Sequence, residues 1–427
     1  MRNAQKKVAV VGGVRIPFVK SQTAYAKATN QQMMTHVLER LVERFKLQGQ
    51  QLGEVALGAL IKHPNDRSLA RESVLGTSLS PLTPAIDLQR ACGTSLDATI
   101  LVANKIALGQ IDSGIAGGTD TNSQPPIMFR KSFVDVMMDF RRAKNIGQKL
   151  AALAHLRPES LLPDIPRAVE ARTGMLMGDH CELMVKEWKI PRQEQDELSL
   201  RSHLNGAKAY DEGFYDDLVT EFLGNKRDLV LRGDTSLEKL LRLKPAFDTG
   251  PEGTLTAGNS SPLSDGSSAV LLASPEEAAK KGWEVQAYIQ DAQVAAVDFV
   301  KGEGLLMAPT VAVSELLKRN NLKLQDFDFY EIHEAFAGQV LCTLKAWESD
   351  EYCRNRLGLS GALGSIDRSK MNVVGSSVAL GHPFAATGAR VVATLAKLLS
   401  QKKGARGLIS ICTAGGMGVA AILESPK

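Results

Sequence analysis

Two cysteines and two histidines of this chain lie in glycine-containing turns beside predicted strands and helices: Cys92, His333, His382 and Cys412. One thiol with one imidazole suffices for acyl transfer, because the imidazole takes the thiol proton and the sulfur then carries the acyl group. A second cysteine needs a separate task. When a carbon–carbon bond beside a thioester is made or broken, a carbanion develops and a second acid/base must exchange a proton with it. An imidazole N–H and backbone amides would then hold the enolate oxygen.

Cys92 lies between a short extended segment and a long apolar helical pattern. Gly93 follows it, and Thr94 and Ser95 are available to cap the first helical turn. The free N–H groups and the dipole at a helix N-terminus favour negative charge, so we expect the Cys92 thiolate to form more easily than that of a free cysteine. The alternative is a small buried cysteine that only packs a strand–helix junction.

His333 and Glu334 lie where a strand beginning at Phe329 passes into a helix. This is the carboxyl end of a predicted parallel strand, where α/β proteins place their sites. The alternative for His333 is a capping residue or a hydrogen-bonded core residue. We predict that His382 and Cys412 occupy equivalent strand-end positions, which favours a shared site.

The surrounding pattern alternates strands and helices, which predicts an α/β sheet covered on both faces. Strands are predicted at 7–11, 55–60, 113–116, 268–273, 285–295 and 408–411, and helices at 31–47, 71–76, 95–108 and 391–399. The order helix, glycine turn, strand and glycine pair occurs twice, at 95–118 and again from 391 onward. We therefore expect two similar α/β halves; the alternative is a coincidental likeness between common α/β units.

The predicted organisation is a first half of residues 1–123 plus 248–276, a second half of residues 277–427, and an inserted loop domain at 124–247. Within the insert, residues 140–157 contain five Lys or Arg residues, His155 and no acidic residue, with apolar residues at helical spacing. A basic amphipathic helix can contact a membrane surface, dock a partner subunit or bind an anionic ligand. The simpler alternative is a solvated helix that packs one face on its own domain.

Composition excludes several classes of protein. A net charge of +4 and 5% aromatic residues argue against nucleic acid as a partner. The first residues lack a signal-peptide pattern, and no apolar run approaches the roughly 20 residues of a spanning helix. The five cysteines are widely spaced, with no metal-type pair and no disulfide framework: Cys92, Cys181, Cys342, Cys353 and Cys412. We therefore expect a cytoplasmic protein without a bound metal.

Four blocks resemble the signature motifs of the thiolase family, in the family's order and across essentially the whole chain. They are Arg90-Ala-Cys-Gly-Thr-Ser95, His333-Glu-Ala-Phe-Ala337, the segment from Asn372 through Gly381-His-Pro383 to Gly388-Ala-Arg390, and Cys412-Thr-Ala-Gly-Gly-Met-Gly418. The resemblance implies a five-layered αβαβα fold of two similar halves with an inserted loop domain. The basic insert and the His-Glu-Ala-Phe block look most like the 3-ketoacyl-CoA thiolases of fatty-acid oxidation complexes.

By this resemblance Cys92 is the nucleophile that attacks the 3-oxo carbon of a 3-ketoacyl-CoA, and the acyl group remains on it. Cys412 would protonate the departing acetyl-CoA enolate, and His382 would accept the thiol proton of incoming CoA. His333 with a water would form one oxyanion site. The backbone N–H groups of Cys92 and Ala414 would form the other, with Ala414 where the family usually has glycine.

The resemblance also implies contacts to CoA, which would be a substrate, with no permanently bound cofactor. Arg232 would meet the nucleotide end, Ser261 the pantetheine, and Ala335 and Phe336 the channel. Leu176-Met177-Gly178 stands where biosynthetic acetoacetyl-CoA thiolases usually have His-Met-Gly, which favours degradative use on longer chains.

Other functions remain open. A biosynthetic acetoacetyl-CoA thiolase would use the same groups for Claisen condensation. A ketosynthase shares the doubled fold and a Cys/His site but normally has no second cysteine at the position of Cys412. A mainly structural subunit would dock a multienzyme partner through residues 140–157. Expected assemblies are a homodimer or homotetramer, or a hetero-complex with a hydratase/dehydrogenase subunit.

Overall fold

The computed structural model describes residues 7–64, 66–164 and 169–426. Its strands are β1 (Val8–Arg15), β2 (Val19–Lys20), β3 (Glu54–Leu57), β4 (Ala85–Asp87), β5 (Ser113–Asp120), β6 (Met128–Phe129), β7 (Pro163–Asp164), β8 (Ser264–Ala273), β9 (Ala287–Ala296), β10 (Phe329–Ile332), β11 (Arg406–Thr413) and β12 (Met417–Glu424). Its helices are α1 (Asn30–Phe45), α2 (Leu69–Leu75), α3 (Thr94–Ala107), α4 (Lys131–Arg142), α5 (Ile146–Leu153), α6 (Met177–Glu187), α7 (Arg192–Asp211), α8 (Leu237–Leu241), α9 (Pro275–Lys281), α10 (Ala308–Asn320), α11 (Ala337–Glu348), α12 (Asp350–Asn355), α13 (Ser377–Leu380) and α14 (Thr387–Ser400). None of the helices in this part of the chain has the length and hydropathy needed to span a bilayer.

Ten strands form one hydrogen-bonded sheet in the order β10-β11-β12-β9-β1-β8-β5-β3-β4, with β2 paired to β8, and β6 and β7 form a separate two-stranded sheet. Its two parts have the same plan. In the first, β1, β8 and β5 are antiparallel neighbours and β3 is parallel to β5. In the second, β9, β12 and β11 are antiparallel neighbours and β10 is parallel to β11. The structure therefore has the two similar halves that the repeated pattern predicts, joined where β1 pairs with β9.

Three hydrophobic clusters define the layers. Helices α1 and α2 cover the outer face of the first half, through residues such as Met33, Val37 and Val74. Helices α10 and α11 cover the outer face of the second half. Helices α3 and α14 lie between the halves and share one cluster with strands from both. The result is the five-layered αβαβα arrangement, in which burial of apolar side chains on both sides of α3 and α14 holds the halves together.

Two predicted strand ends are wrong. Strand β1 continues through Gly12 and Gly13, and β5 continues through Gly117 and Gly118. The glycines serve close packing rather than turns. A Cβ on Gly13 would lie 2.6 Å from the Cβ of Ala393, and one on Gly118 would lie 2.1 Å from the carbonyl oxygen of Ala385. Because neither residue has a Cβ, the first half packs closely against the segment that carries α14.

The segment predicted as an inserted domain contains β6, β7 and α4 to α8. Helix α6 packs on α11, and α7 packs on α13. The prediction of one basic helix at 140–157 is wrong, because α4 ends at Arg142 and a new helix begins at Ile146. The Asn145 side chain accepts a hydrogen bond from the Gln148 N–H (2.9 Å), an N-cap that starts α5 separately.

Replacing Gly388 by alanine should separate the two central helices. A Cβ on Gly388 would lie 2.2 Å from the backbone nitrogen of Leu96 in α3. We expect Gly388→Ala to lower the free energy of unfolding by about 1–3 kcal/mol, measured by chemical denaturation, and to reduce turnover. The matched control is Gly147→Ala in α5, where the nearest atom is 3.5 Å away. Equal stability of the two variants would contradict the packing argument.

Candidate active site

Cys92 is held in a strained turn ahead of α3. The 3-10 turn Ala91–Gly93 begins with Ala91 at φ +44, a left-handed conformation that alanine rarely adopts. The Thr94 hydroxyl donates to the Ala91 carbonyl (2.7 Å) and accepts from the Arg90 N–H (2.8 Å). Thr94 therefore stabilises the turn instead of capping α3, so its predicted role as a cap is wrong.

Ser95, the other predicted cap, bonds across the halves. Its hydroxyl accepts a hydrogen bond from the backbone N–H of Ala389 in the first turn of α14 (2.8 Å). Together with the close approach of Gly388, this bond fixes the N-termini of α3 and α14 beside each other. The turn with Cys92 and the loop with His382 directly precede these two N-termini.

His382 follows Gly381, whose φ of +104 turns the chain sharply after α13. Its backbone N–H donates to the Ser264 hydroxyl (3.1 Å), and its Nδ1 lies 2.6 Å from Thr387 Oγ1. His382 therefore occupies a loop between two helices, and Cys412 lies inside β11. The predicted strand-end position is wrong for His382, because a short helix intervenes before it, and correct for Cys412, which is the last but one residue of β11.

The structure brings the reactive groups together. His382 Nε2 lies 3.1 Å from Cys92 Sγ, and the rings of His333 and His382 are 4.1 Å apart between centroids. One ligand-type atom from each of Cys92, His333 and His382 lies within 4.8 Å of the other two. A thiolate and two imidazoles can also bind zinc, although acyl transfer requires no metal. All four predicted groups are buried, Cys92 being 6% exposed and Cys412 1%.

Burial keeps the Cys92–His382 pair neutral. It raises the pKa of the Cys92 thiol to about 12, partly offset by hydrogen bonds from the backbone N–H groups of Ala414 and Cys92. Burial and the charge of Arg390 lower the pKa of His382 to about 3. The expectation of a readily formed thiolate is thus wrong, because desolvation outweighs the hydrogen bonds from these backbone N–H groups.

Cys412 and His333 are uncharged for the same reason. Burial, and next the nearby Cys92, raise the pKa of Cys412 well above its usual range. Burial, His382 and Arg390 lower the pKa of His333 well below its usual range. His333 is the first residue after β10, at the carboxyl end of a parallel pair as predicted.

The loop carrying His333 is fixed by its neighbour. The Glu334 carboxylate accepts hydrogen bonds from Asn372 Nδ2 and Ser202 Oγ, both at 2.7 Å. Ser202 belongs to α7 in the inserted segment, so this buried contact ties the insert to the site. A buried carboxylate with several donors is rigid, which suits a group that must hold an adjacent imidazole in place.

Ala414 fits the position where the resemblance expects glycine. The left-handed residues of this turn are Gly415 and Gly416, at φ +76 and +69, and Ala414 itself is not among the left-handed residues. The Gly415 N–H donates to Glu170 Oε1 (2.9 Å). The backbone N–H of Ala414 forms a hydrogen bond with the Cys92 sulfur. Because Ala414 is not in the left-handed region, its methyl group causes no backbone strain here.

The predicted CoA contacts are only partly brought together. The N–H and hydroxyl of Ser261 both donate to the Ala335 carbonyl (3.0 and 2.9 Å), and the rings of Phe336 and Phe247 meet edge to face. Met177 packs against the cluster that contains Cys412. Arg232 is exposed, and its backbone N–H donates a hydrogen bond to His203 Nδ1 in α7 (3.2 Å).

Several positioning residues were missed from the sequence. Thr387 meets His382, Ser377 Oγ lies 2.8 Å from His333 Nδ1, and the Asp120 carboxylate accepts the Ala385 N–H (2.8 Å). Hydroxyl residues within a few positions of His382 in a glycine-bounded loop were the available signal. Asp120 carried none, because its partner lies in the other half of the chain.

The chain matches the N-terminal domain of thiolase over residues 8–276 and the C-terminal domain over residues 283–425. It belongs to the thiolase family. The family consists of acyltransferases, so this chain is an acyltransferase. A 3-ketoacyl-CoA thiolase of Pectobacterium carotovorum is 39% identical over 424 residues, covering 98% of this chain and 96% of the relative. A 3-ketoacyl-CoA thiolase of Photorhabdus laumondii is 38% identical, covering 98% and 97%.

Solved structures agree with this thiolase assignment. The acetyl-CoA acetyltransferase of Bacillus anthracis is similar with a TM-score of 0.81 and 30% identity, covering 99% of this chain and all of that chain. A thiolase of Ascaris suum in complex with coenzyme A has the same fold with a TM-score of 0.81 at 24% identity, with the same coverage.

The neutral pair predicts an unusual pH profile for Cys92. Alkylation by iodoacetamide should be nearly constant between about pH 6 and 9, because proton transfer to His382 does not change the total charge of the pair. In His382→Ala the rate should instead rise about tenfold per pH unit, because only hydroxide removes the proton. Mass spectrometry of the Cys92 peptide measures the rate. A wild-type inflection below about pH 9 would contradict the neutral resting pair.

Proposed function

We propose that this thiolase cleaves 3-ketoacyl-CoA with CoA to give acetyl-CoA and a shortened acyl-CoA. The observation that carries the proposal is the 3.1 Å contact of Cys92 Sγ with His382 Nε2. His382 takes the thiol proton, and the sulfur attacks the 3-oxo carbon. The bond between C2 and C3 breaks, acetyl-CoA leaves as an enolate, and the shortened acyl group stays on Cys92 as a thioester.

Cys412 donates its proton to the enolate carbon and completes acetyl-CoA. His382 returns its proton to the Cys412 thiolate before CoA reacts. It then accepts the proton of the CoA thiol, the CoA sulfur attacks the acyl carbon, and the proton passes to Cys92 as the product leaves. At the end of the cycle both cysteines are thiols again and His382 is neutral.

Two oxyanion sites complete the proposal. The imidazole N–H of His333, with a water, stabilises the enolate oxygen. The backbone N–H groups of Cys92 and Ala414 stabilise the tetrahedral intermediate on Cys92, and both contribute to the environment of its sulfur. Fixed donors in a buried site stabilise developing negative charge strongly, because little solvent competes with them.

The proposed substrate range is longer 3-ketoacyl chains of fatty-acid β-oxidation, in the cytoplasm. The names of the relatives and the leucine at position 176, in place of histidine, support degradative use. All five cysteines are free thiols, which supports a reducing compartment. CoA would be a substrate with no permanently bound cofactor, contacting Ser261, Ala335, Phe336, Met177 and, at the nucleotide end, Arg232. Turnover of 3-ketoacyl-CoA substrates from about C4 to C16 tests this range, and activity confined to C4 would favour the biosynthetic alternative.

Condensing enzymes of the ketosynthase type are the second candidate. The buried Cys412 thiol beside Cys92 favours a thiolase, because it supplies the acid that carbon–carbon cleavage to acetyl-CoA requires. The reverse reaction, Claisen condensation of acetyl-CoA, uses the same groups with Cys412 as the base.

The two cysteines should fail at different steps. Cys92→Ala should abolish thiolysis of 3-ketoacyl-CoA. Cys412→Ala should lower thiolysis by about 10²–10⁴-fold yet still form the acyl-Cys92 thioester from an acyl-CoA, detected by intact mass. Cys353→Ala removes a buried thiol from α12 and should retain wild-type turnover.

Residual thiolysis near wild type in Cys92→Ala would exclude the covalent mechanism. Loss of acylation in a folded Cys412→Ala variant would show that this thiol acts on Cys92 rather than on the enolate.

The surface of α4 and α5 supports a peripheral role at anionic membranes. Apolar side chains are exposed beside basic ones, among them Ile127, Phe129, Val134, Met138, Ile146, Leu150 and Leu153. The neighbouring residues Arg141, Arg142 and Lys144 are also exposed, and Lys149 is half-buried. Exposed apolar and basic residues together bind the boundary of anionic lipid. The proposed assembly is a homodimer or homotetramer, with a hydratase/dehydrogenase subunit as a candidate partner.

Charge reversal tests this surface. Arg141→Glu with Arg142→Glu should weaken co-sedimentation with vesicles containing phosphatidylserine by at least about thirtyfold, because each of the two basic residues lost contributes about 1 kcal/mol near the surface. The control pair Lys318→Glu with Lys323→Glu makes the same change in charge at exposed sites in and after α10. Equal vesicle binding by the two double variants would contradict the membrane role and indicate that this surface contacts a protein partner or only solvent.

A further inference from the structure

The imidazole of His333 has one partner and one free nitrogen. Its Nδ1 lies 2.8 Å from Ser377 Oγ, whereas its Nε2 has no hydrogen-bond partner among the described residues, although the side chain is fully buried. A buried ring nitrogen without a partner is rare and indicates a group that meets a ligand. What this nitrogen can do depends on whether it carries the proton.

Ser377 is held by a second contact that settles the direction of the first. Arg390 Nη2 lies 2.8 Å from the same hydroxyl oxygen. A guanidinium has only donors, so Ser377 accepts a hydrogen bond there. Its single hydrogen is then left for His333 Nδ1. If Nδ1 carried the imidazole proton instead, the Ser377 hydrogen would have no acceptor among its contacts in a buried site, which is unfavourable.

We propose that Arg390 and Ser377 act as positioning residues that hold His333 as the tautomer protonated at Nε2. Its free nitrogen is then a hydrogen-bond donor. The inference rests on the proposed function, in which His333 stabilises the enolate oxygen, and deepens it by naming the residues that prepare the donor. It also assigns His333 a role distinct from that of His382, whose Nε2 must accept the Cys92 proton.

The surroundings of Arg390 suit this task. Its side chain is fully buried, its closest carboxylate is Glu331 at 3.8 Å, and its other hydroxyl contact is Ser376 at 3.4 Å. The guanidinium is thus fixed by its surroundings with its short bond directed to Ser377. A cation cannot accept a proton from Ser377, so the direction of the hydrogen bonds does not reverse during turnover.

The neighbouring serine provides a matched control. Ser376 and Ser377 are consecutive, both are fully buried, and both contact Arg390, but only Ser377 contacts His333. We expect Ser377→Ala to lower kcat for thiolysis about tenfold with little change in the KM for CoA. The variant no longer keeps the His333 Nε2–H as a donor to the enolate oxygen, but it leaves the groups that bind CoA in place. Ser376→Ala should retain kcat within about twofold.

Nitrogen-15 NMR of labelled histidine tests the tautomer directly and requires no activity. In the wild type, Nε2 of His333 should have the shift of a protonated nitrogen and Nδ1 that of an unprotonated one, the signals being assigned by their absence from His333→Asn. In Ser377→Ala the Nδ1 shift should move toward the protonated value. The combined variant His333→Asn/Ser377→Ala should lose no more activity than His333→Asn alone.

A wild-type His333 protonated at Nδ1 would overturn the inference, as would equal kcat values for Ser377→Ala and Ser376→Ala. An additional tenfold loss in the combined variant would show that Ser377 acts elsewhere. Absence of thiolysis in the wild type would instead refute the proposed function, while the wild-type spectrum would still decide the tautomer.

Discussion

The close approach of α3 and α14 is the constraint on which the site depends. Gly388 leaves room for the backbone of Leu96, and the Ala389 N–H bonds to Ser95. Each helix begins directly after a loop with one reactive group, so this packing sets the 3.1 Å separation of Cys92 and His382. Cys92 comes from the first half and His333, His382 and Cys412 from the second, so neither half alone contains the candidate site.

Burial controls the chemistry of these groups in opposite directions. It raises the pKa of the Cys92 thiol and lowers that of His382, so the resting pair carries no charge. In the proposed mechanism a charged pair appears when the proton crosses between them, next to the N–H groups of Ala414 and Cys92 that bond to the sulfur. Exclusion of water from the site therefore limits side reactions of the Cys92 thiolate. It also strengthens each hydrogen bond from a fixed donor to developing negative charge.

A second set of buried polar contacts gives the site its rigidity. Asp120 of the first half accepts the Ala385 N–H of the second, and Glu334 is bonded to Asn372 and to Ser202 of the insert. Such contacts are costly when one partner is missing, so they fix a single arrangement of the loops. The family relationship and the fold similarity to a solved acetyl-CoA acetyltransferase agree with this arrangement of two halves around one site.

The sequence by itself determined the repeated α/β pattern, the reactive residue types and their motifs, because hydrophobic periodicity and local turn chemistry are encoded over short stretches. It could not decide that the glycines at 13 and 118 lie inside strands, since the atoms they accommodate come from distant segments. The sequence alone also predicts too low a pKa for the Cys92 thiol. The helix end is a local feature that the sequence reveals, whereas desolvation, which raises this pKa, depends on all the residues packed around the thiol. Only the tertiary structure decided the contacts of Ser377, Thr387 and Asp120, which join residues through space rather than along the chain.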